Sequence, residues 1–116
     1  MQKQFKRGQI WMAEFYDGVG SEQKGRQRPI LIAQNDMGNF YAPTVTIVPL
    51  TSRTKRWMPT HVTLHKTICL LYTSTALVEQ ITTISKERFI KFLGMIDSSE
   101  MIQVEEAIRV QMGIAG

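Results

Sequence analysis

Residues 44–48 read Thr44-Val45-Thr46-Ile47-Val48 and are β-branched at every position. Two heavy atoms on Cβ stiffen χ1 and crowd a helical turn, whereas a pleated sheet accommodates them, so this run predicts a strand. Pro49, directly behind it, cannot donate to a ladder and predicts an edge or an exit at that point. Other runs that read as strands cover residues 9–15, 29–34, 60–64, 75–84 and 89–93. Residues 35–39 read as a turn closed by Gly38, and 85–87 as another. Residues 16–27 form a long loop rich in glycine and charge, and 51–59 a basic loop. Residues 65–74 carry no clear pattern.

Near the end the period changes. Met101, Val104, Ile108 and Met112 recur at spacings of three and four with Ala107 beside them, while Glu105, Glu106 and Arg109 fall away from that stripe. Such a pattern predicts an amphipathic helix ending near Gly113. Asp97 or Ser98 offers the cap, and Glu100 completes a near capping box with Asp97. A row of short strands followed by one helix predicts a mainly β fold with a C-terminal α-helix. The helix packs on a small antiparallel barrel or curled sheet. At 116 residues, without repeat or linker, residues 1–116 read as a single domain.

Several classes fall away on composition. The first eight residues are basic and polar, with no apolar run behind them to suggest a signal peptide. The longest apolar stretches, 30–33 and 68–72, are far too short to cross a bilayer, so no membrane role is expected. Cys69 is the only cysteine and cannot form a disulfide within the chain, so a buried, inert thiol in a cytoplasmic protein is expected.

The formal net charge of +4 is unevenly spread. Residues 1–66 hold ten Lys/Arg against four Asp/Glu, and residues 67–116 hold four against six. The excess lies in Lys3-Lys6-Arg7, Lys24-Arg26-Arg28 and Arg53-Lys55-Arg56. Solvated loops account for any one cluster, but two clusters flanking neighbouring strands suggest a surface for a polyanion, nucleic acid foremost.

Metal chemistry has little to stand on. His61 and His65 are the only histidines, and the acids do not gather around them or Cys69. No metal site and no cofactor are expected. Residues four apart share a face on a strand, so a paired-histidine acid–base site at His61 and His65 is conceivable, though surface positions suit them as well. No motif supports a Ser/His/Asp triad or a glycine-rich phosphate loop. Arg28 offers more. Pro29 fixes the chain behind it at a strand mouth, and Gly20-Ser21-Glu22-Gln23 places a polar turn upstream. A guanidinium presents five donors in a fixed fork and stays charged, which suits a phosphate. The structural alternatives are an ion pair of Arg28 with Glu22 or Glu79, and a turn-capping role for Thr51.

Taken in order, Gly20-Ser21-Glu22-Gln23, Arg28-Pro29, Gln34-Asn35-Asp36 with Gly38-Asn39, Pro43-Thr44 and Leu50-Thr51-Ser52 resemble the MazF/PemK toxins. These are small RNA-cleaving partners in bacterial toxin–antitoxin pairs. The likeness runs from Arg7-Gly8 through Trp11 to the final helix, and includes Pro59-Thr60-His61-Val62 and Glu79-Gln80-Ile81. It implies a small SH3-like antiparallel β-barrel, a homodimer, and an antitoxin whose flexible acidic tail covers the basic groove. It also implies metal-independent cleavage of single-stranded RNA by attack of the ribose 2′-hydroxyl, leaving a 2′,3′-cyclic phosphate and a 5′-hydroxyl. The catalytic pair maps onto Arg28 and Thr51. Since arginine hardly deprotonates, Arg28 suits charge stabilisation better than base catalysis, and Thr51 suits orientation of the attacking hydroxyl.

Around that pair, Ser21, Glu22 and Gln23 are candidates for reading base edges, and Arg26 competes with Arg28 as the functional arginine. Ser52, Arg53, Lys55, Arg56, Met58, Glu79 and Gln80 complete the expected substrate contacts. Trp57, among basic residues, is either a stacking platform or a packing residue under the loop. The chain departs from the family pattern in a loop one residue longer at 24–27, in Thr83 where an arginine is common, and over 66–74. The gyrase inhibitor CcdB shares the fold and supplies the rival expectation, a toxin that poisons DNA gyrase without enzymatic activity. That activity depends on a terminal Trp-Gly-Ile, and this chain has Met112-Gly113-Ile114 followed by two more residues.

Overall fold

A computed structural model describes residues 3–14, 27–53 and 56–114. Within them lie β1 (Gln9–Glu14), β2 (Gln27–Ile32), α1 (Asp36–Tyr41), β3 (Thr44–Thr51) and β4 (His61–Leu64). They are followed by β5 (Ser74–Leu77), β6 (Thr82–Ser85), β7 (Phe89–Met95) and α2 (Ser98–Met112). Every strand pairing is antiparallel. The order is β4-β5-β3-β2-β1-β7, with β6 added on β3. The mainly β fold with a C-terminal helix is thus present as a curled sheet whose path is open, with β4 and β7 at its ends.

The β-branched run organises this sheet. One edge of β3 pairs with β2, Ile30 facing Pro49 and Ile32 facing Ile47. The other edge pairs first with β6, Val45 facing Ile84, and then with β5, Leu50 facing Ala76. Pro49 falls in the gap between β6 and β5, so its missing donor is tolerated in a strand that is otherwise central. For the same reason, the single strand expected over 75–84 is two strands here. Because β3 changes partner along its length, β5 and β6 are separate pieces joined by a 3-10 turn at Val78–Gln80.

Alternation along the strands sorts the side chains into two cores. Ile10, Leu31, Val48, Leu50, Val62, Leu64 and Ala76 face α2, where Met101, Val104 and Ala107 meet them. On the opposite face Ala13, Ile30, Ile32, Val45, Ile47 and Ile84 pack with an aromatic group. The Phe5 ring lies 5.1 Å from Trp11 and 4.7 Å from Phe89, in tilted and edge-on arrangements that favour aromatic rings. Met112, expected on the helix stripe, is exposed because α2 has by then run past its partner strands.

The helix ends differ from their sequence reading in instructive ways. Residues 35–39 form the start of α1 rather than a turn, because the Asn35 side chain accepts from Gly38 N at 2.8 Å and caps a helix. At α2 the Asp97 carboxylate accepts from Ser99 N, and Gly113 ends the helix at φ 70°. Glu100 does not reach back to Asp97 as a capping box requires. It is fully buried and accepts from His65 N, Lys66 N and Thr67 Oγ1, and Thr67 Oγ1 in turn accepts from Asp97 N. Cys69 is half-buried against Gly94, and burial pushes its thiol pKa up. No helix among the described residues is long and apolar enough to cross a membrane.

Candidate active site

β2 opens with Gln27-Arg28-Pro29 and β3 closes with Leu50-Thr51. Ile32 faces Ile47 and Ile30 faces Pro49, and the same register continued by two residues would bring Arg28 level with Thr51. Both residues are in phase with the strand positions of the aromatic-lined core, and by alternation their side chains leave the sheet on that face. Arg28 also lies across from Ala13 of β1, in mid-sheet rather than at an edge. Thr51 is 8% exposed. Its Oγ1 accepts from Arg53 N at 3.2 Å, so the turn-capping role foreseen for it is present. That bond uses a lone pair and leaves the hydroxyl proton to donate.

The basic loop begins directly behind Thr51. Ser52, Arg53, Arg56, Trp57 and Met58 are exposed. Trp57, at 77% exposure, presents its ring to solvent, and the packing alternative for it does not hold. Ser21, Glu22, Gln23, Lys24 and Arg26 lie outside the described residues, as does Lys55.

Glu79 and Gln80 stand apart from the Arg28–Thr51 pair. Thr75 pairs with Thr51, and Glu79 follows four residues later in the 3-10 turn, roughly 10 Å further on. There Glu79 Oε2 lies 2.9 Å from His61 Nε2, and Glu79 Oε1 accepts from Thr60 Oγ1 at 3.1 Å. Burial opposes ionisation of Glu79, yet the bond to His61, a backbone bond, the charge of His61 and the Thr60 hydroxyl outweigh it. The carboxyl pKa is held below its usual value. Gln80 is exposed beside it.

Sequence reasoning did not find this Thr60–His61–Glu79 cluster, since its members lie 18 and 19 residues apart without a shared period. The available signal was a lone acid directly behind the apolar run Ala76-Leu77-Val78, with a histidine opening an earlier strand pattern. The paired-histidine alternative does not form. His61 turns to Glu79, whereas His65 Nδ1 lies 3.6 Å from Glu100. Thr83 pairs with Thr46, their hydroxyls 3.2 Å apart. Among the described residues, no three His, Cys, Asp or Glu side chains gather as a metal site.

Against this geometry, comparison with known proteins gives a consistent picture. Residues 6–112 match the family model described as "PemK-like, MazF-like toxin of type II toxin-antitoxin system". The chain is 39% identical over 111 residues to "Endoribonuclease MazF" of Staphylococcus epidermidis, covering 94% of this chain and 92% of that one. Among solved structures, it is similar to an endoribonuclease in complex with its cognate antitoxin from a mycobacterial species. There the TM-score is 0.79 at 25% identity, over 96% of this chain and 97% of the other. A MazE–MazF structure from Deinococcus radiodurans superposes with a TM-score of 0.79 at 19% identity, over 98% and 100% of the two chains, and speaks to the fold.

Proposed function

The chain belongs to the PemK-like, MazF-like toxins of type II toxin–antitoxin systems, and we propose that it is a sequence-selective endoribonuclease toxin acting on single-stranded RNA without a metal. The β2–β3 register supports this reading: past its last pair, Ile30 with Pro49, Arg28 and Thr51 each follow two residues further along adjacent strands, with the basic loop directly behind.

The chemistry follows from those residue types. The ribose 2′-oxygen attacks the adjacent phosphorus, the bond to the 5′-oxygen breaks, and a 2′,3′-cyclic phosphate and a 5′-hydroxyl result. One proton leaves the 2′-hydroxyl and one joins the 5′-oxygen, so the step is balanced without a co-reactant. Arg28 stabilises the charge that builds on the phosphoryl oxygens. Thr51, held by its bond from Arg53 N, orients the 2′-hydroxyl or a phosphate oxygen with its remaining proton. Arg53, Lys55 and Arg56 hold phosphates on one side of the cut, and exposed Trp57 offers a stacking surface.

Ser21, Glu22 and Gln23, together with Glu79 and Gln80, supply acceptors and donors for base edges. The protein works in the cytoplasm as a homodimer, and a cognate antitoxin with an acidic tail competes for the basic surface.

Incubation of the purified protein with a long RNA in EDTA, followed by mapping of the ends, tests this reading. Cyclic phosphate and 5′-hydroxyl ends at a recurring sequence are expected. A single deoxynucleotide on the 5′ side of the scissile phosphate must block cleavage while binding persists. Cleavage of that deoxy substrate shows instead that water or a side chain is the nucleophile.

A further inference from the structure

Arg28 and Thr51 occupy one end of the β2–β3 pair, and a second cationic feature stands at the other. The segment before β1, helix α1 and the turn after β6 enclose a cavity of about 500 Å³. It lies roughly 17–20 Å from Arg28, the rise of five or six strand residues. Lys3, Lys6 and Lys86 line it. Lys86 Nζ donates to Asn39 O at 2.6 Å and Lys3 Nζ donates to Phe89 O, so each ammonium is aimed by a neutral carbonyl and keeps two protons. Among the described residues, no carboxylate comes within ion-pair distance of any of these three lysines.

Asp36 is the one acid in the lining. Its Oδ1 accepts from Arg7 N at 2.7 Å and from Asn39 Nδ2 at 3.1 Å. Oδ2 has no such partner among the described residues and keeps its capacity to accept. At the mouth stands Phe40, 77% exposed, its ring braced edge-on by Tyr41 at 4.8 Å. A braced, exposed aromatic ring beside three ammonium groups without carboxylate partners is an arrangement that a single ligand chemistry satisfies.

We propose that this cavity binds a nucleoside phosphate, with the phosphate among Lys3, Lys6 and Lys86, the base stacked on Phe40, and a ribose hydroxyl donating to Asp36. The ligand is either a nucleotide of the bound RNA strand beyond the cleavage site or a free nucleotide. Only the first of these rests on the ribonuclease reading. An acidic peptide suits the site less well, because it leaves Phe40 without a stacking partner and sets carboxylate against Asp36.

The test has two arms. In the first, AMP, adenosine and inorganic phosphate are titrated by calorimetry into the whole protein and into Phe40→Ala and Lys6→Gln, both at exposed positions where folding is secure. AMP should bind more tightly than either fragment. Phe40→Ala should weaken AMP about 5- to 100-fold while sparing inorganic phosphate, in keeping with the loss of one base stack. Lys6→Gln should weaken both. Equal binding of AMP and phosphate, indifferent to Phe40→Ala, overturns the proposal in favour of a bare anion site, and absence of AMP binding overturns it outright.

In the second arm, RNAs blocked by a 2′-deoxynucleotide at the cut are lengthened one nucleotide at a time on each side. A step in affinity at one length, removed by Phe40→Ala and by competing AMP, assigns the pocket to the RNA strand. AMP binding without such a step assigns it to a free nucleotide. If AMP binds as expected and no RNA is cleaved under any condition, the ribonuclease reading fails and the pocket stands.

Discussion

Thr67 Oγ1 donates to the buried Glu100 carboxyl group at 2.7 Å and, through a lone pair, accepts from Asp97 N at 3.0 Å. One hydroxyl thereby ties the start of α2 to the segment after β4, inserted between the two residues that a capping box would join directly. Thr67→Val removes both bonds at nearly constant volume and should cost about 1–3 kcal/mol. Glu100→Ala strands two backbone donors as well and should cost more, about 3–5 kcal/mol if the penalties combine. Urea unfolding at neutral pH measures both. A Glu100→Ala protein as stable as the parent would refute the clamp.

Arg28→Ala should lose at least ~100-fold in cleavage rate with the fold intact, the scale of removing one preorganised donor. Arg28→Lys should recover only part of that loss, because a point charge does not replace a fork. Single-turnover cleavage with a circular dichroism control decides it. Loss of activity in Arg26→Ala but not in Arg28→Ala reassigns the functional arginine.

Salt dependence reads out the basic loop. In an Arg28→Ala background, Arg53→Ala, Lys55→Ala and Arg56→Ala should each weaken RNA binding and reduce the salt slope by about 0.7 per lost phosphate contact. Base preference should hold, since phosphates carry no sequence information. An unchanged slope means that these side chains face only solvent.

The Glu79 cluster has a pH signature. Its carboxyl pKa is lowered in the folded protein, so its stabilisation is full above the unfolded carboxylate value and is lost as pH falls through the folded one. Glu79→Gln should therefore destabilise the protein at neutral pH, with the difference from wild type shrinking toward acid. Thermal unfolding of both proteins from pH 7 down to 3 follows this. A gap that is constant with pH points to shape rather than charge.

Two glycines separate backbone strain from steric room. Gly113 sits at φ 70° with open space around it, so Gly113→Ala should cost about 1–2 kcal/mol. Gly94 sits at φ 156°, and a Cβ there would stand 2.6 Å from Cys69 Cβ, so Gly94→Ala should cost distinctly more. Denaturation midpoints of the two variants compare them directly.

What the residues disclosed in advance depended on whether the cause was local. The β-branched run at 44–48 and the helical stripe from Met101 to Ile108 carry their own periods, and both elements appear. The break between β5 and β6 was not legible, because its cause is a change of partner along β3 rather than anything within 75–84. Likewise Glu100 looked like half of a capping box, and only the arrival of Thr67 from 33 residues away gives it another task. In the candidate site, Arg28 and Thr51 were suggested by the order of motifs. Bringing them near one another needed the β2–β3 register, and the His61–Glu79 contact joins the start of β4 to the 3-10 turn after β5, a meeting that no spacing announces.

The exchange of partners along β3 also bears on when the protein becomes dangerous. Thr51 is seated against β5, and the strand that carries it is completed by β6, whose Ile84 meets Val45 from far downstream. Pairings between such distant residues close late in folding and only after the later segments exist. Until residues 74–85 have been made, β3 lacks both of its partners on one edge. For a member of an RNA-cleaving toxin family, that topology makes completion of the strand that carries Thr51 wait on synthesis of β6.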